Sequence, residues 1–296
     1  MNDRTPAQPL HTLEKARTRR GFERAAGTYD AAAVLQREVG SRLLERLDYM
    51  RLAPQRILDL GCGTGFVTER LLARYKQAEV IGLDLAPAMV ARTRTRGRWL
   101  RHPLGVCADV MQLPFQPACM DLMLSNLMLQ WVNDLPAALH ECVQALRPGG
   151  LILFSTFGPD TLKELRTSWS QVDGFTHVSR FTDLHDVGDA LLAAGFRDPV
   201  VDMEMMTLTY TQVRELLQDL KGIGANNATA GRNRGLTGRQ RLQAFYQAYE
   251  QFRQPDGRYP ATYEVIYGHA WAPEIRTQGR PERFVPVHPV RSQGSR

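Results

Sequence analysis

The sequence predicts an α/β protein with a mostly parallel seven-stranded sheet, a helical cap before the sheet and a helical insertion between the last two strands. Short apolar runs alternate with segments whose apolar residues recur at helical spacing, which is typical of β-α-β units and of a sheet covered on both faces. A glycine-rich turn follows the first run directly, and several runs end at an acidic residue or an amide. Ligand sites of such sheets lie at the carboxyl ends of the strands.

Residues 1–50 are predicted to form the helical cap, and residues 51–210 the core of the sheet. Apolar residues of the cap recur at helical spacing as Val34, Leu35, Val39, Leu43, Leu44 and Leu47. The first five strands are expected near 56–60, 79–84, 103–108, 119–126 and 150–156. The helices that follow the first, second, fourth and fifth of them are expected near 65–75, 87–97, 134–146 and 159–171.

A further helix and strand precede the insertion. The pattern predicts a helix over Leu184–Ala194 that ends at Gly195, because glycine readily adopts the left-handed conformation that closes a helix. A strand over 199–210 follows it.

The insertion spans residues 211–259. It is predicted to contain a helix from Thr211, a Gly/Asn-rich turn and a second helix that ends near Arg253. Residues 260–272 supply the final strand, and residues 273–296 are expected to form a flexible tail. Insertions of this kind often carry substrate recognition, because loops tolerate change and the sheet does not.

The composition favours one soluble domain with a small accessory region. The chain has 296 residues, of which 43% are hydrophobic and 23% charged, and it lacks the run of about 18 apolar residues that a membrane span needs. Residues 1–24 are arginine-rich without an apolar stretch, so a secretory signal is not expected and a mitochondrial presequence stays open. We expect a cytoplasmic protein. Four cysteines without C-x-x-C spacing are expected to be buried thiols: Cys62, Cys107, Cys119 and Cys142.

The most informative motif is the stretch 57–65, Ile-Leu-Asp-Leu-Gly-Cys-Gly-Thr-Gly. An apolar strand carries Asp59, turns through three glycines and restarts as a helix, so that backbone N–H groups can approach a ligand closely. The spacing is Gly-x-Gly-x-Gly and differs from that of dinucleotide binders. Asp84 ends the next strand, where a ribose diol is usually held. This pattern resembles the first motif of class I S-adenosylmethionine-dependent methyltransferases.

The net charge of +6 is partly concentrated in the insertion. This group could be a solvated polar loop or a docking face for an acidic partner, whose encounter a basic patch would accelerate. Stacking aromatic residues are not interleaved with it, which disfavours nucleic acid as the partner. The residues concerned are Lys221, Arg232, Arg234, Arg239 and Arg241.

Longer stretches outside the glycine motif narrow the resemblance. Together they resemble the malonyl-acyl carrier protein O-methyltransferase family of bacterial biotin synthesis, whose fold is Rossmann-like. The stretches are 22–36, 181–188, 220–226, 234–238 and 260–271, the last reading Pro-Ala-Thr-Tyr-Glu-Val-Ile-Tyr-Gly-His-Ala-Trp.

The resemblance implies S-adenosylmethionine as cofactor and a malonyl group on acyl carrier protein as substrate. Asp59, Gly61 and Gly63 would hold the amino-acid end of the cofactor, and Asp84 its ribose. The adenine would lie beside Leu85, Asp109 and the Val110 backbone, with the Asp109 carboxylate accepting from its amine, and Asn126 would lie near the sulfonium. Candidate catalytic residues are Tyr29 at the mouth of the site, and His177 and Arg180 near the malonyl group.

The implied chemistry requires little of the protein. A carboxylic acid with a pKa of about 4 is already ionised at neutral pH, so no general base and no metal is expected. Proximity and removal of water are the expected sources of rate.

Three alternatives stay open from the sequence. One is a methyltransferase for another small carboxylate or a quinone precursor. Another is a mitochondrial complex I assembly factor of related sequence, which the arginine-rich first 20 residues leave open. A nucleic-acid methyltransferase is the third.

Overall fold

Seven strands form one sheet within residues 10–98 and 100–274, the part of the chain that this computed structural model describes. The order across the sheet is β3-β2-β1-β4-β5-β7-β6. The strands are β1 (Arg56–Leu60), β2 (Glu79–Asp84), β3 (Leu104–Cys107), β4 (Met120–Asn126), β5 (Leu146–Phe157), β6 (Arg197–Tyr210) and β7 (Tyr259–Trp271).

The sheet is parallel from β3 to β5, and β7 runs antiparallel to both of its neighbours. The chain order reverses between β1 and β4, which pair directly through Leu60 and Ser125 near their carboxyl ends. A crevice forms at such a point, because the connections of the two strands leave in opposite directions. The predicted mostly parallel seven-stranded sheet is confirmed.

Helices cover both faces of the sheet, and two of them lie between β6 and β7, as the sequence predicts. The helices are α1 (Lys15–Ala25), α2 (Tyr29–Ala32), α3 (Val34–Glu45), α4 (Phe66–Arg74), α5 (Pro87–Arg94), α6 (Leu135–Ala145), α7 (Lys163–Ser170), α8 (Leu184–Ala193), α9 (Val213–Gly222) and α10 (Arg239–Tyr249). No helix in the described ranges combines the length and apolar character needed to cross a membrane.

Two boundaries near β5 differ from the prediction. The strand begins at Leu146, which pairs with Met120, so the Arg-Pro-Gly-Gly sequence lies inside an irregular strand start. After the strand, α7 begins at Lys163 instead of near residue 159. The chain before it forms a turn that is tied to β7, where the Leu162 N–H donates to the Thr262 carbonyl over 2.6 Å. Residues 275–296 of the predicted tail lie outside the described part.

The core has two layers because successive strand residues point to opposite faces of the sheet. Ile57 belongs to the layer under α3, α4, α9 and α10, and its neighbour Leu58 to the layer under α6 and α8. Cys62 and Cys142 are buried as expected, but Cys119 is only half-buried, and Cys107, which ends the edge strand β3, is exposed.

A strap formed by residues 10–14 pairs antiparallel with residues 228–231 of the insertion. Three backbone hydrogen bonds of 2.8 Å join the two segments, one of them from the Ala230 N–H to the Thr12 carbonyl. Glu14, the last strap residue, accepts two hydrogen bonds from the Arg232 guanidinium, at 2.5 and 3.0 Å. The cap and the insertion therefore form one continuous cover, although they are far apart in sequence.

Gly268 of β7 offers a test of the packing between β5 and β7. A Cβ at this position would lie 2.3 Å from the ring of Phe154, which is fully buried. We expect Gly268→Ala to lower the stability by about 1–3 kcal/mol, because a well-packed core can only absorb the methyl group by shifting. Thermal unfolding measures the loss. Gly174→Ala is the control, because its Cβ would meet nothing within 4 Å. Equal midpoints for the two variants would contradict the packing argument.

Candidate active site

A cleft of about 1060 Å³, including its open mouth, lies over the carboxyl ends of β1 to β4. The loops after these strands form its floor and the cap forms its roof. All but one of the residues that the sequence proposes for the cofactor line it: Gly61, Gly63, Asp84, Leu85, Asp109, Val110 and Asn126.

The glycine turn is held against the tip of β2. The N–H groups of Gly61 and Cys62 donate to the Leu83 carbonyl over 2.8 and 3.0 Å. Gly61 has a φ of 72°, and a Cβ on it would lie 2.3 Å from Met128. Only glycine meets both conditions, and the turn leaves an open cradle in which a ligand can lie against the backbone.

Asp84 faces the cleft at the end of β2. One carboxylate oxygen accepts from the Gly63 N–H over 3.0 Å, and the other accepts from the Ala86 N–H over 2.8 Å. Burial raises the pKa of Asp84 to about 6, against the effect of these hydrogen bonds. Each carboxylate oxygen has further acceptor capacity, so the group can still accept hydrogen bonds from a diol.

Asp59 lies beneath the glycine turn, in the wall of a smaller adjoining cavity and not in the main cleft. It is 1% exposed and accepts a hydrogen bond from the Thr68 hydroxyl. Burial raises its pKa to about 7. The side chain therefore supports the turn from below.

Asp109 lies at the end of the cleft away from the glycine turn. One carboxylate oxygen accepts from the Met111 N–H over 3.0 Å, and the other forms an ion pair with Lys15 at the start of α1. Val110 is buried beside it. The first helix of the cap thus reaches the part of the cleft that the sequence assigns to the adenine.

Asn126 ends β4 in the middle of the cleft. Its amide donates to the Gln36 carbonyl of α3 over 2.9 Å, and its oxygen accepts from Ser155 of β5 over 2.9 Å. Because both ends of the side chain are used, its position between the cleft and α3 is fixed.

Aromatic residues of the cap and of the loop after β4 form the roof. Tyr29 lies over the glycine turn, with its ring carbons 3.9 Å from the place where a Gly63 Cβ would be. Burial raises the pKa of the Tyr29 phenol above its usual value, so it stays protonated at neutral pH. Phe22 meets Trp131 edge-on, with ring centroids 5.1 Å apart. These rings exclude water from the middle of the cleft.

A second cavity of about 640 Å³, including its mouth, adjoins the cleft at Trp131, which lines both. Its walls come from α3, from the segment after α7, and from the insertion. His177 lines this cavity, but its Nε2 lies 2.8 Å from Asp173 and its ring stacks on Trp169 at 3.9 Å. The histidine is therefore held as part of the wall.

Arg180 is exposed and lines neither the cleft nor the second cavity. Its neighbours Ser179 and Phe181 line the second cavity, but Arg180 itself is not part of that wall. The structure does not place it as the sequence analysis expected.

The basic residues of the insertion divide into two groups. Lys221, Arg234, Arg239 and Arg241 are exposed. Arg232 differs, because its side chain is only 11% exposed and forms the ion pair with Glu14. Its role in this structure is to fasten the strap, so it does not belong to an open docking face.

The sequence analysis missed several residues of the two cavities. Trp131 and Asn133 follow the fourth strand, and their place after its carboxyl end could have indicated them. Asn133 accepts from the Leu13 N–H over 2.8 Å and so holds the strap over the cleft. No local sequence pattern indicates Lys15 or Gln36 as site residues, because their contacts with the cavities depend on where the cap packs.

Comparisons with known proteins agree with this geometry. A family described as a methyltransferase domain matches residues 58–154. The malonyl-[acyl-carrier protein] O-methyltransferase of Methylovorus sp. (strain MP688) is 52% identical over 94% of this chain and 95% of its own. That of Halorhodospira halophila is 54% identical over 88% of each. A solved S-adenosylmethionine-dependent methyltransferase of Thermotoga maritima shares the fold, with a TM-score of 0.52 and 16% identity over 86% of this chain and 99% of its own.

The fold and the cleft are those of a class I methyltransferase, and the cofactor is S-adenosylmethionine. Within that class, the chain belongs to the malonyl-acyl carrier protein O-methyltransferase family.

Asp84 provides the first test of the cleft. Asp84→Ala removes the acceptor proposed for the ribose hydroxyls, and a hydrogen bond to a charged group contributes about 1.5–3 kcal/mol. We expect S-adenosylmethionine affinity to fall at least about tenfold in calorimetry. Asp186→Ala, which removes an exposed carboxylate from α8, should leave the affinity unchanged. Unchanged binding by Asp84→Ala would remove this residue from the site.

Asp59 provides a pH test without ligand. Because its pKa is raised to about 7, the folded protein holds a proton here that the unfolded chain loses near pH 4. The folded state therefore loses stability as the pH rises through this window, by about 1.4 kcal/mol per unit of pKa shift. We expect Asp59→Asn to gain stability over the wild type between pH 4 and 8, measured by thermal unfolding. A difference that does not change with pH would contradict the buried acid.

Proposed function

We propose that this chain transfers a methyl group from S-adenosylmethionine to the free carboxylate of a malonyl group carried by acyl carrier protein. The observation that carries the proposal is the extent of the identity to relatives with that name. It covers 283 residues, including the cap and the insertion that surround the second cavity, and is not confined to the cofactor-binding region 58–154. The product, a malonyl methyl ester, would start the pimeloyl chain of biotin.

The residues of the cleft fit the cofactor. The open cradle at Gly61 and Gly63 suits its amino-acid end, the Asp84 carboxylate suits the ribose, and Asp109 with Val110 suits the adenine. When bound, the cofactor supplies an electrophilic methyl carbon on its sulfonium. Asn126, which lines the cleft and is fixed against α3, would lie beside that end of the bound cofactor.

Under this proposal, the rate of methyl transfer depends on holding the carboxylate and the methyl group close together and on excluding water from both. The malonyl carboxylate is ionised at neutral pH, so the protein has no proton to remove. Tyr29 and Phe22 line the cleft, and Trp131 lines both the cleft and the second cavity, so these rings would help to keep water from the weak nucleophile. Methyl transfer in line from sulfur to oxygen needs only that both partners are held at that place.

The exposed basic residues Arg234, Arg239 and Arg241, with Lys221, form the proposed docking face for the acidic carrier protein. They belong to the insertion that also walls the second cavity. A carrier protein bound there can direct its malonyl arm into that cavity. Arg232 is outside this face because it holds Glu14.

The direct test incubates the enzyme with S-adenosylmethionine and malonyl-acyl carrier protein and measures the product by mass spectrometry. We expect a gain of one methyl group on the malonyl group. Acetyl-acyl carrier protein is the control substrate, because it lacks the free carboxylate. No gain on the malonyl form, with cofactor binding intact, would overturn the proposal.

Charge reversal tests the docking face. We expect Arg239→Glu with Arg241→Glu to raise the KM for malonyl-acyl carrier protein and to flatten its salt dependence, because rim charges mainly set the rate of association. Turnover of malonyl-coenzyme A should change much less. Steady-state kinetics at two salt concentrations measures both effects.

The matched control is Arg51→Glu with Lys76→Glu. It makes the same charge change at exposed positions just before β1 and β2, at the amino ends of the strands and so away from the cleft. Equal losses on the carrier-protein and coenzyme A substrates would show that Arg239 and Arg241 support the fold or the pocket.

A further inference from the structure

Gln36 lies where the cleft, the smaller cavity and the second cavity meet. It belongs to the first turn of α3 and lines both the second cavity and the smaller cavity beneath the glycine turn. Its backbone carbonyl accepts the hydrogen bond from Asn126, which lines the main cleft. The Gln36 side chain is thus placed next to the end of the cleft from which the methyl group is proposed to leave.

Polar groups without a partner point to a ligand at this junction. Within the described part of the chain, the side-chain amide of Gln36 and the indole N–H of Trp131 form no hydrogen bond. Two other amides of this cavity are engaged, because Gln130 donates to the Leu127 carbonyl over 2.7 Å and Asn227 donates to the Thr176 carbonyl. The Asn226 amide and the Ser179 hydroxyl also form no hydrogen bond in the described part, but these residues line the second cavity alone. Gln36 and Trp131 each line a neighbouring cavity as well, so their free donors are the ones placed next to the cofactor cleft.

The wall of the second cavity contains no Asp, Glu, Lys or Arg among its described residues. The one histidine of this wall, His177, is held by Asp173. An anion that enters this cavity meets hydrogen-bond donors that are neutral. A cation would pair more tightly with the anion, and the basic residues nearby in the sequence lie outside the wall.

The absence of a cation suits methyl transfer between opposite charges. The carboxylate oxygen forms a bond to the methyl carbon while the bond from carbon to sulfur breaks, and its electron pair returns to sulfur. Both charges disappear in this step. A lysine or arginine on the carboxylate would stabilise the reactants more than the transition state, and would slow the reaction. Neutral donors can orient the carboxylate oxygen while stabilising the reactants less than a cation would.

We infer that Gln36, together with the Trp131 indole, receives the substrate carboxylate and orients it toward the cofactor. This inference rests on the proposed function and names the groups that the substrate touches. It replaces the expected cationic contact through Arg180 with a neutral one.

Two variants of Gln36 test the inference. We expect Gln36→Ala to lower kcat/KM for malonyl-acyl carrier protein by about ten- to a hundredfold, as the loss of a hydrogen bond to a charged group requires. The affinity for S-adenosylmethionine should stay within about twofold. Gln36→Lys should lower KM and lower kcat, because the new cation stabilises the bound carboxylate before reaction. This split distinguishes orientation of the substrate from a structural role, which would not lower KM.

Gln55→Ala is the matched control, because this exposed glutamine lies just before β1, at the amino ends of the strands and so away from the cleft. Wild-type protein that does not methylate malonyl-acyl carrier protein would overturn the proposed function itself. Active wild type with an unchanged Gln36→Ala variant would overturn only the role of Gln36. A parallel loss of cofactor affinity in Gln36→Ala, or a raised kcat in Gln36→Lys, would also overturn it.

Discussion

The close approach of the glycine turn to the tip of β2 is the constraint on which the site depends. Two N–H groups of the turn share the Leu83 carbonyl, and a third N–H reaches Asp84. This is possible because Gly61 has no Cβ, which would collide with Met128, and adopts a positive φ. The approach buries two carboxylates, Asp59 and Asp84. Burial and the nearby Asp84 charge raise the pKa of Asp59, and burial together with both carboxylates raises the pKa of the Cys62 thiol. A side chain at Gly61 would separate the strands' ends and remove the cradle.

The cover of the cleft is built from both ends of the described chain. The strap binds the insertion through backbone hydrogen bonds and through Glu14 and Arg232, and it binds the loop after β4 through Asn133. Lys15 then joins the cap to Asp109 inside the cleft. The segment that walls the second cavity is thus mechanically connected to the roof over the cofactor. The same set of contacts therefore borders both cavities.

Patterns local in sequence predicted the fold and most of the cleft. Strand alternation, the glycine turn and the strand-end residues Asp84, Asp109 and Asn126 depend on short segments, so the sequence identified them. The ion pair of Arg232 with Glu14 joins residues 218 positions apart, and no local pattern indicates it. For the same reason the sequence groups Arg232 with its exposed neighbours and does not indicate Gln36. Asp59 was placed among the ligand contacts because strand alternation alone does not show how far below the turn a side chain lies.

The distribution of charge along the proposed path of the substrate follows from the reaction. Outside, the exposed arginines of the insertion would attract an acidic carrier under the proposed function, and salt would limit the attraction because they lie in water. Inside, the described wall of the second cavity has no Asp, Glu, Lys or Arg, so a carboxylate bound there would lose water without gaining a cation. The acidic groups lie beyond it in the cofactor cleft, where Asp84 and Asp109 face a ligand that carries positive charge. If a basic residue were moved inward to the neutral cavity, binding would tighten and the carboxylate would lose the reactivity that desolvation provides. In this arrangement, the charges that would attract the carrier protein lie at the surface, and the neutral cavity in which the carboxylate would react lies in the interior.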